Sequence, residues 1–416
     1  MRPLFLLLVL VISVAFGAVT MLAARFYRSG QVQFGAMWYG RGEAALAAGD
    51  SRVAVQDFRN ALYYSHDNPA YRLSLAEALL SAKHIREAHS YLLTLWQDEP
   101  SNSIVNLELA RLAATQGNSR AALRYYHGAI YGLWPDGDAA ARRRQARLEL
   151  VHYLLGLRDD TQADAELVSL TSELPPTAAA HCDVGRLFQQ AGDSERALQE
   201  FAEALRLNPK SPAALLGAGE AAFQLGQYEK ALRYLEQALK AGTREPEEAE
   251  LLATTRLIIE WDPNSQGVSP RHRALRIVQA FHQALRRLGD CAAARNIDLA
   301  AAAASSSSPG SSNTPSASNE ATHNLIAEIL GRIRGQTVTP EQLPIVADPA
   351  EMQPLYQQAT QVQPRVRADK LERDPQLADS VMGLVSRIET VTAQHCGAPQ
   401  GPDLALLLLA HRTEER

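Results

Sequence analysis

The stretch from Ala178 to Leu239 reads AAAHCDVGRLFQQAGDSERALQEFAEALRLNPKS over 178–211 and PAALLGAGEAAFQLGQYEKALRYLEQAL over 212–239. The two lines are one pattern written twice. Gly185, Phe188, Gly192, Ala197, Phe201 and Ala204 are followed, 34 positions later, by Gly219, Ala222, Gly226, Ala231, Leu235 and Ala238. Self-similarity at a period of about 20–50 residues marks a stacked array of small units rather than one globular core.

Stepping back in 34s finds the same spacing. Residues 35–68 carry Trp38, Gly42, Gly49, Ala54, Phe58 and Ala61; residues 69–102 carry Ala76, Ala88, Leu92 and Pro100. Residues 103–136 carry Ala110, Gly117, Ala122, Tyr126 and Ala129. An insert at 137–143 breaks the phase, and 144–177 is a degenerate copy with Val151, Leu154, Ala163 and Leu167. With 178–211 and 212–245 this makes six units, more than the roughly three a self-supporting stack needs.

The pattern resembles the tetratricopeptide repeat (TPR), a helix–turn–helix unit of 34 residues. The resemblance covers about residues 35–244 and implies an all-α fold, a right-handed solenoid of helix pairs. Small residues at positions 8 and 20 let helices A and B approach, and a large apolar residue at position 24 fills the space between them. Glycine at position 15 supplies the left-handed backbone that ends helix A. Proline near position 32 ends helix B, as in Leu207-Asn208-Pro209.

Around the repeats the chain divides further. Leu4–Ala24 is uncharged over 21 residues, and a bilayer-spanning helix needs about 20. Residues 1–30 therefore read as an N-terminal transmembrane anchor, single-pass and uncleaved because Leu22-Ala23-Ala24 is a poor signal-cleavage site, with a cleaved signal as the alternative. Positive charge is nearly balanced across the span, so the three-residue head decides the reading: the repeat domain, 31–244, lies outside the cytoplasm, with the cytoplasmic side as the alternative. Residues 245–298 read as capping helices, 299–320 as a Ser/Ala-rich disordered linker, and 321–416 as a small helical C-terminal region. Within that region Asn324–Arg334, Pro375–His395 and Asp403–His411 are helix candidates. The Pro375–His395 stripe either docks on the apolar floor of the solenoid groove or packs with its two neighbours as a bundle.

Several functions are disfavoured. Forty-one basic against 46 acidic residues leave a net charge of −5, unlike a nucleic-acid binder. Three cysteines, Cys182, Cys291 and Cys396, cannot make a disulfide framework, though one bridge is open to them. Gly40-Arg41-Gly42 and Gly217-Ala218-Gly219 match a dinucleotide fingerprint, but no strand precedes either. His181-Cys182 and His395-Cys396 would make a metal site only by meeting across the chain. Packed or surface side chains are the plainer expectation, so no metal, cofactor or small-molecule substrate is expected. No catalytic motif is present and the chain does not read as an enzyme. Arginine clusters at 142–147 and on the cap, Arg271, Arg273, Arg276, Arg286 and Arg287, read as solvated faces or as contacts to an acidic partner or anionic lipid headgroups.

The TPR resemblance implies a concave face lined by helix A at positions 2, 5, 9, 12 and 13. Position 5 gives a largely apolar floor: Tyr39, Leu73, Leu107, Leu148, Cys182 and Leu216. Position 9 gives Arg111, His152 and Arg186 in the middle, with Glu43, Glu77 and Glu220 at the ends. Chaperone-tail TPR domains use Asn at position 9 and Lys at position 5, and this chain has neither. The expected function is a membrane-anchored scaffold or adaptor binding peptide segments or helices of a protein partner, Arg111, His152 and Arg186 holding an acidic group. Interhelix salt bridges are the competing reading for these cations. The alternatives are a component of a bacterial envelope assembly, secretion, pilus or cytochrome-biogenesis apparatus, and an enzyme whose catalytic part is C-terminal.

Overall fold

The computed structural model describes residues 2–135, 137–242, 246–299 and 349–414, with side chains given only in part over 2–28. Among the described residues every regular element is helical. Six helix pairs occupy the six units expected from the sequence. They are α1 (Arg2–Ala47) with α2 (Ser51–Tyr64), α3 (Pro69–Ser81) with α4 (Ile85–Asp98), and α5 (Ser103–Thr115) with α6 (Ser119–Tyr131). They continue with α7 (Ala139–Gly156) and α8 (Asp160–Thr171), α9 (Ala178–Gln190) and α10 (Ser194–Leu207), and α11 (Pro212–Gln224) and α12 (Tyr228–Ala241).

The period is set by packing. Ala54, Ala88, Ala122, Ala163, Ala197 and Ala231, at position 20, are all fully buried where helices A and B cross. Phe58 sits against Gly42, and Phe201 against Gly185, with no room for a Cβ on either glycine. The left-handed residue ending helix A appears in every pair. Gly49, Gly117, Gly192 and Gly226 supply it four times; Lys83 and Arg158 adopt it at the same position, with φ of 62° and 60°. Gly40 and Gly42 lie inside α1, and Gly217 and Gly219 inside α11, so neither dinucleotide fingerprint follows a strand; Gly42, Gly217 and Gly219 sit against neighbouring side chains, and Gly40 is exposed.

Two boundaries differ from the sequence reading. The helix α1 runs unbroken from Arg2 to Ala47, so residue 30 is no boundary: the apolar N-terminal run and helix A of the first pair are one helix. Most side chains of Leu4–Ala24 lie outside the described residues, and the membrane anchor expected there with them. Among the described residues no helix is long and apolar enough to cross a membrane. The insert at 137–143 is largely helix: Asp138 accepts a hydrogen bond from Ala141 N at 3.2 Å and starts α7 a turn early.

The chain forms two compact units, 1–174 and 175–416. The first holds four helix pairs around two clusters, one centred on Phe58, Leu75 and Leu79, the other on Leu92, Leu109, Ile130 and Leu150. Arg147, only 3% exposed, is bonded there to Glu166 at 3.1 Å and Glu173 at 3.5 Å.

The second unit holds the last two pairs and everything C-terminal. The cap is α13 (Pro246–Trp261) and α14 (Pro270–Ala294). The tail adds α15 (Pro349–Val362), α16 (Ala368–Arg373), α17 (Pro375–Cys396) and α18 (Gly401–Glu414). The linker expected at 299–320 and the helix at 324–334 fall, but for residue 299, outside the described residues.

The tail is not a separate region. Ile277, Phe281 and Leu288 of α14 share one core with Met352, Val381, Leu384, Ile388 and Leu406 of the tail. Thus the α17 stripe packs on the cap together with α15 and α18, so the expected contact with 403–411 forms but as part of a core shared with α14. A Cys291–Cys396 disulfide ties α14 to the end of α17. Arg287 bonds Glu389 at 3.0 Å, and Glu389 is fully buried; burial pushes its carboxyl well above the usual range. Of the other cap arginines, Arg273 pairs with Asp379 of α17 at 2.7 Å and Arg276 donates to Ile259 O of α13 at 3.1 Å. The helix α18 reaches the last repeat, where Tyr228 donates to Leu408 O and Arg412 lies over the Tyr228 ring and pairs with Asp262.

Candidate functional site

Six of the residues expected to line the groove belong to the first unit. Tyr39 stands on α1, Leu73 on α3, Leu107 and Arg111 on α5, and Leu148 and His152 on α7. Tyr39 is half-buried; its ring stacks on Tyr71 at 4.7 Å and its hydroxyl lies 3.2 Å from Ser74 Oγ. Burial, opposed by the Ser74 hydrogen bond, raises the Tyr39 pKa. Leu107 is 7% exposed and belongs to the core rather than to an open floor. Leu148 is half-buried and His152 is exposed.

Leu73 opens onto a cavity of about 360 Å³ between the N-terminal turns of α3 and α5 and the C-terminal end of α4. Ala70, Leu95, Ile104, Val105 and Pro135 complete its apolar wall, and Asp98, Glu99 and Asn102 stand at its edge.

Arg111 is engaged within the unit. Its Nε and Nη2 donate to both oxygens of Glu149 at 2.8 and 2.6 Å, and its Nη1 donates to Glu108 at 2.6 Å. The paired hydrogen bonds to Glu149 raise its pKa above the usual arginine range. The cation expected to meet an acidic ligand is therefore occupied by the protein's own carboxylates. Position 6, which the sequence reading passed over, supplies both Glu108 and Glu149. The signal was present as Glu108 three residues before Arg111 on one helix face.

One turn beyond Leu73 on the same helix, Glu77 is half-buried and has no hydrogen-bond or ion-pair partner among the described residues. Burial, with Glu108 and Glu43 beside it and Arg111 opposing, pushes its carboxyl up to about 7. Glu108 is raised as well, first by burial. Acid outnumbers base here: Glu43 and Glu77, the acids at one end of the position-9 series, are joined by Glu108 and Glu149 from position 6 around the single cation Arg111.

Arg186 and Leu216 belong to the second unit. Arg186 is exposed and pairs with Asp183 on its own helix; Leu216 is half-buried on α11. The two His–Cys pairs do not meet as a metal site. Cys396 is bonded to Cys291, Cys182 is a buried free thiol, and His181 Nδ1 lies 2.8 Å from Glu200. Among the described residues no group of three or more His, Cys, Asp or Glu could hold a metal ion.

A family profile described as tetratricopeptide repeat matches residues 182–248. No curated protein sequence matches the chain. Among solved structures it is similar to PilW, a type IV pilus biogenesis factor, at 19% identity and a TM-score of 0.37, over 52% of this chain and 97% of that one. It is also similar to the C-terminal part of a TPR protein from Cytophaga hutchinsonii, at 14% identity and a TM-score of 0.40, over 54% and 86% of the two chains. Pseudomonas aeruginosa PilF is a third, at 17% identity and a TM-score of 0.31, over 46% and 84%. Superpositions this loose leave the question of function to the chain's own geometry.

Proposed function

We propose that this chain is a membrane-anchored protein-binding scaffold on the extracytoplasmic side, whose helix-A face in the first unit grips a segment of a partner protein. The observation that carries the binding reading is the cavity beside Leu73, apolar, open and rimmed by carboxylates, on the face that TPR units use to hold peptides. The repeat match over 182–248 supports the same class of function. Two features favour the anchored, extracytoplasmic placement. The Leu4–Ala24 run is long enough to span a bilayer. The Cys291–Cys396 disulfide belongs in an oxidising compartment, since cytosolic thiols are kept reduced.

The test is site-specific photo-crosslinking in cells. A photoreactive residue at position 73 yields a discrete protein adduct, and one at the exposed Val53 of α2 does not. Equal adducts from both positions, or none from position 73, would reject the face. A protease added to spheroplasts degrades the repeat domain if it is extracytoplasmic and spares it if it is not.

A further inference from the structure

We infer that the helix-A face of the first unit selects a partner segment in which an apolar side chain is followed within a few residues by Lys or Arg. The apolar group enters the cavity beside Leu73, and the cation rests at Glu77, Glu43 and Glu108. This rests on the scaffold reading above and names the partner's chemistry.

Two independent features meet at one place. The cavity, about 360 Å³ and walled by Leu73, Leu95, Ile104 and Val105, is at the small end of the usual range for ligand pockets, about 300–1,000 Å³. It suits one or two side chains rather than a large cofactor. Beside it stands a carboxylate with no cation of its own. Leu73 and Glu77 are four residues apart on α3, so their Cβ atoms are about 6 Å apart. An extended peptide advances about 3.3 Å per residue. A cation one to three residues past the anchor therefore reaches Glu77.

The charges around Glu77 come from two neighbouring helices: Glu43 and Tyr39 on α1, and Glu108 and Arg111 on α5. Arg111 is the cation among them, and its guanidinium is taken up by Glu149 on α7 and by Glu108. A half-buried carboxylate flanked by two others is left to be matched from outside. An acidic segment would meet four carboxylates, Glu43, Glu77, Glu108 and Glu149, with the guanidinium already paired. Asp98 and Glu99 at the cavity edge extend the same preference.

Because Glu77 titrates near neutrality and a cation needs it ionised, binding is linked to pH. Ionisation about a pKa of 7 falls from about nine-tenths near pH 8 to about one-tenth near pH 6, so affinity falls about tenfold over that range.

The experiment uses the full chain in non-ionic detergent and fluorescent peptide libraries of about twelve residues. One library fixes Leu followed by two Lys, a second replaces Lys by Glu, a third replaces Leu by Ser, and other positions are randomised. Anisotropy near pH 8 should show the Leu–Lys library binding at least tenfold more tightly than either control. Lowering the pH to about 6 should weaken it about tenfold in the wild type and less than twofold in Glu77→Gln. Glu43→Gln, at an exposed position, should weaken the Leu–Lys library in the same direction and keeps the test valid should Glu77→Gln perturb folding. Preference for the Glu library, equal binding of the Ser library, or unchanged affinity in both variants would overturn the inference and leave the scaffold reading standing. Failure of every library, together with no adduct from position 73, would overturn both.

Discussion

Phe201 is wedged between two helices at once, and that gives two chemically identical substitutions opposite signs. A Cβ built on Gly217 would lie 2.4, 2.5 and 2.8 Å from three atoms of the Phe201 ring. On the other side a Cβ on Gly185 would lie 2.9–3.0 Å from the same ring. The ring is fully buried and cannot retreat from α11 without moving into α9. Overpacking of this kind costs about 1–3 kcal/mol. Replacing a helical glycine by alanine gains about 1 kcal/mol of propensity. Gly217→Ala should therefore destabilise by up to about 2 kcal/mol. Gly289, inside α14, has nothing within 4 Å of its Cβ position. There the propensity term acts alone, and Gly289→Ala should stabilise by about 0.5–1 kcal/mol. Urea unfolding of the full chain, followed by circular dichroism, measures both. Phe201→Leu opens the space, so Gly217→Ala should cost about 1 kcal/mol less in that background, a coupling that a double-mutant cycle reads directly. If Gly217→Ala stabilises as Gly289→Ala does, the ring is not where the packing argument puts it.

The remaining expectations concern charge, the disulfide and backbone strain. The folded-state pKa of Glu77 lies above its ordinary value of 4.5, so the stabilisation it gives is complete below about pH 4.5 and lost as pH rises through about 7. Glu77→Gln should thus gain about 1–2 kcal/mol over wild type between pH 5 and pH 8, after allowance for partial solvent screening; a stability difference that does not change with pH would contradict this. The Cys291–Cys396 bond joins residues 105 apart, and its removal in Cys291→Ser with Cys396→Ser should cost about 2–5 kcal/mol. A melting temperature unchanged on reduction, with three thiols then titratable, would count against it. Lys83 and Arg158 hold left-handed backbone, where a side chain costs about 1–2 kcal/mol, so Lys83→Gly and Arg158→Gly should each stabilise by about 0.5–1 kcal/mol net of the glycine's unfolded-state entropy; a lower melting temperature in either would refute it. Arg147→Met should cost about 3–5 kcal/mol by leaving Glu166 and Glu173 without their buried cation; a loss under about 1 kcal/mol would place Arg147 at the surface.

The amino-acid order alone determined the six helix pairs, because each is specified locally. Small residues at positions 8 and 20, a large one at position 24 and a left-handed turn at position 15 constrain only neighbours within about 34 residues. Even the turns at Lys83 and Arg158, which lack glycine, follow from the phase of the copies around them. Charge on the helix-A face was half legible. The cations at position 9 were visible, but whether Arg111 meets a ligand or a neighbour depends on Glu149, 38 residues away on another helix. That distance exists only after stacking.

The tail was decided by tertiary structure. The apolar stripe of α17 was plain in the sequence, yet a stripe says that a partner exists and not which one. The groove floor, the tail's own helices and the cap each offered apolar residues. Cap and tail are joined through a chain segment more than fifty residues long, and no local rule ranks such choices. The core shared by Phe281, Leu384 and Ile388, and the bond between Cys291 and Cys396, settle it in favour of the cap. Three cysteines in the sequence permit three different pairings; only the packing of α14 against α17 brings two of them within bonding distance and leaves Cys182 buried and alone.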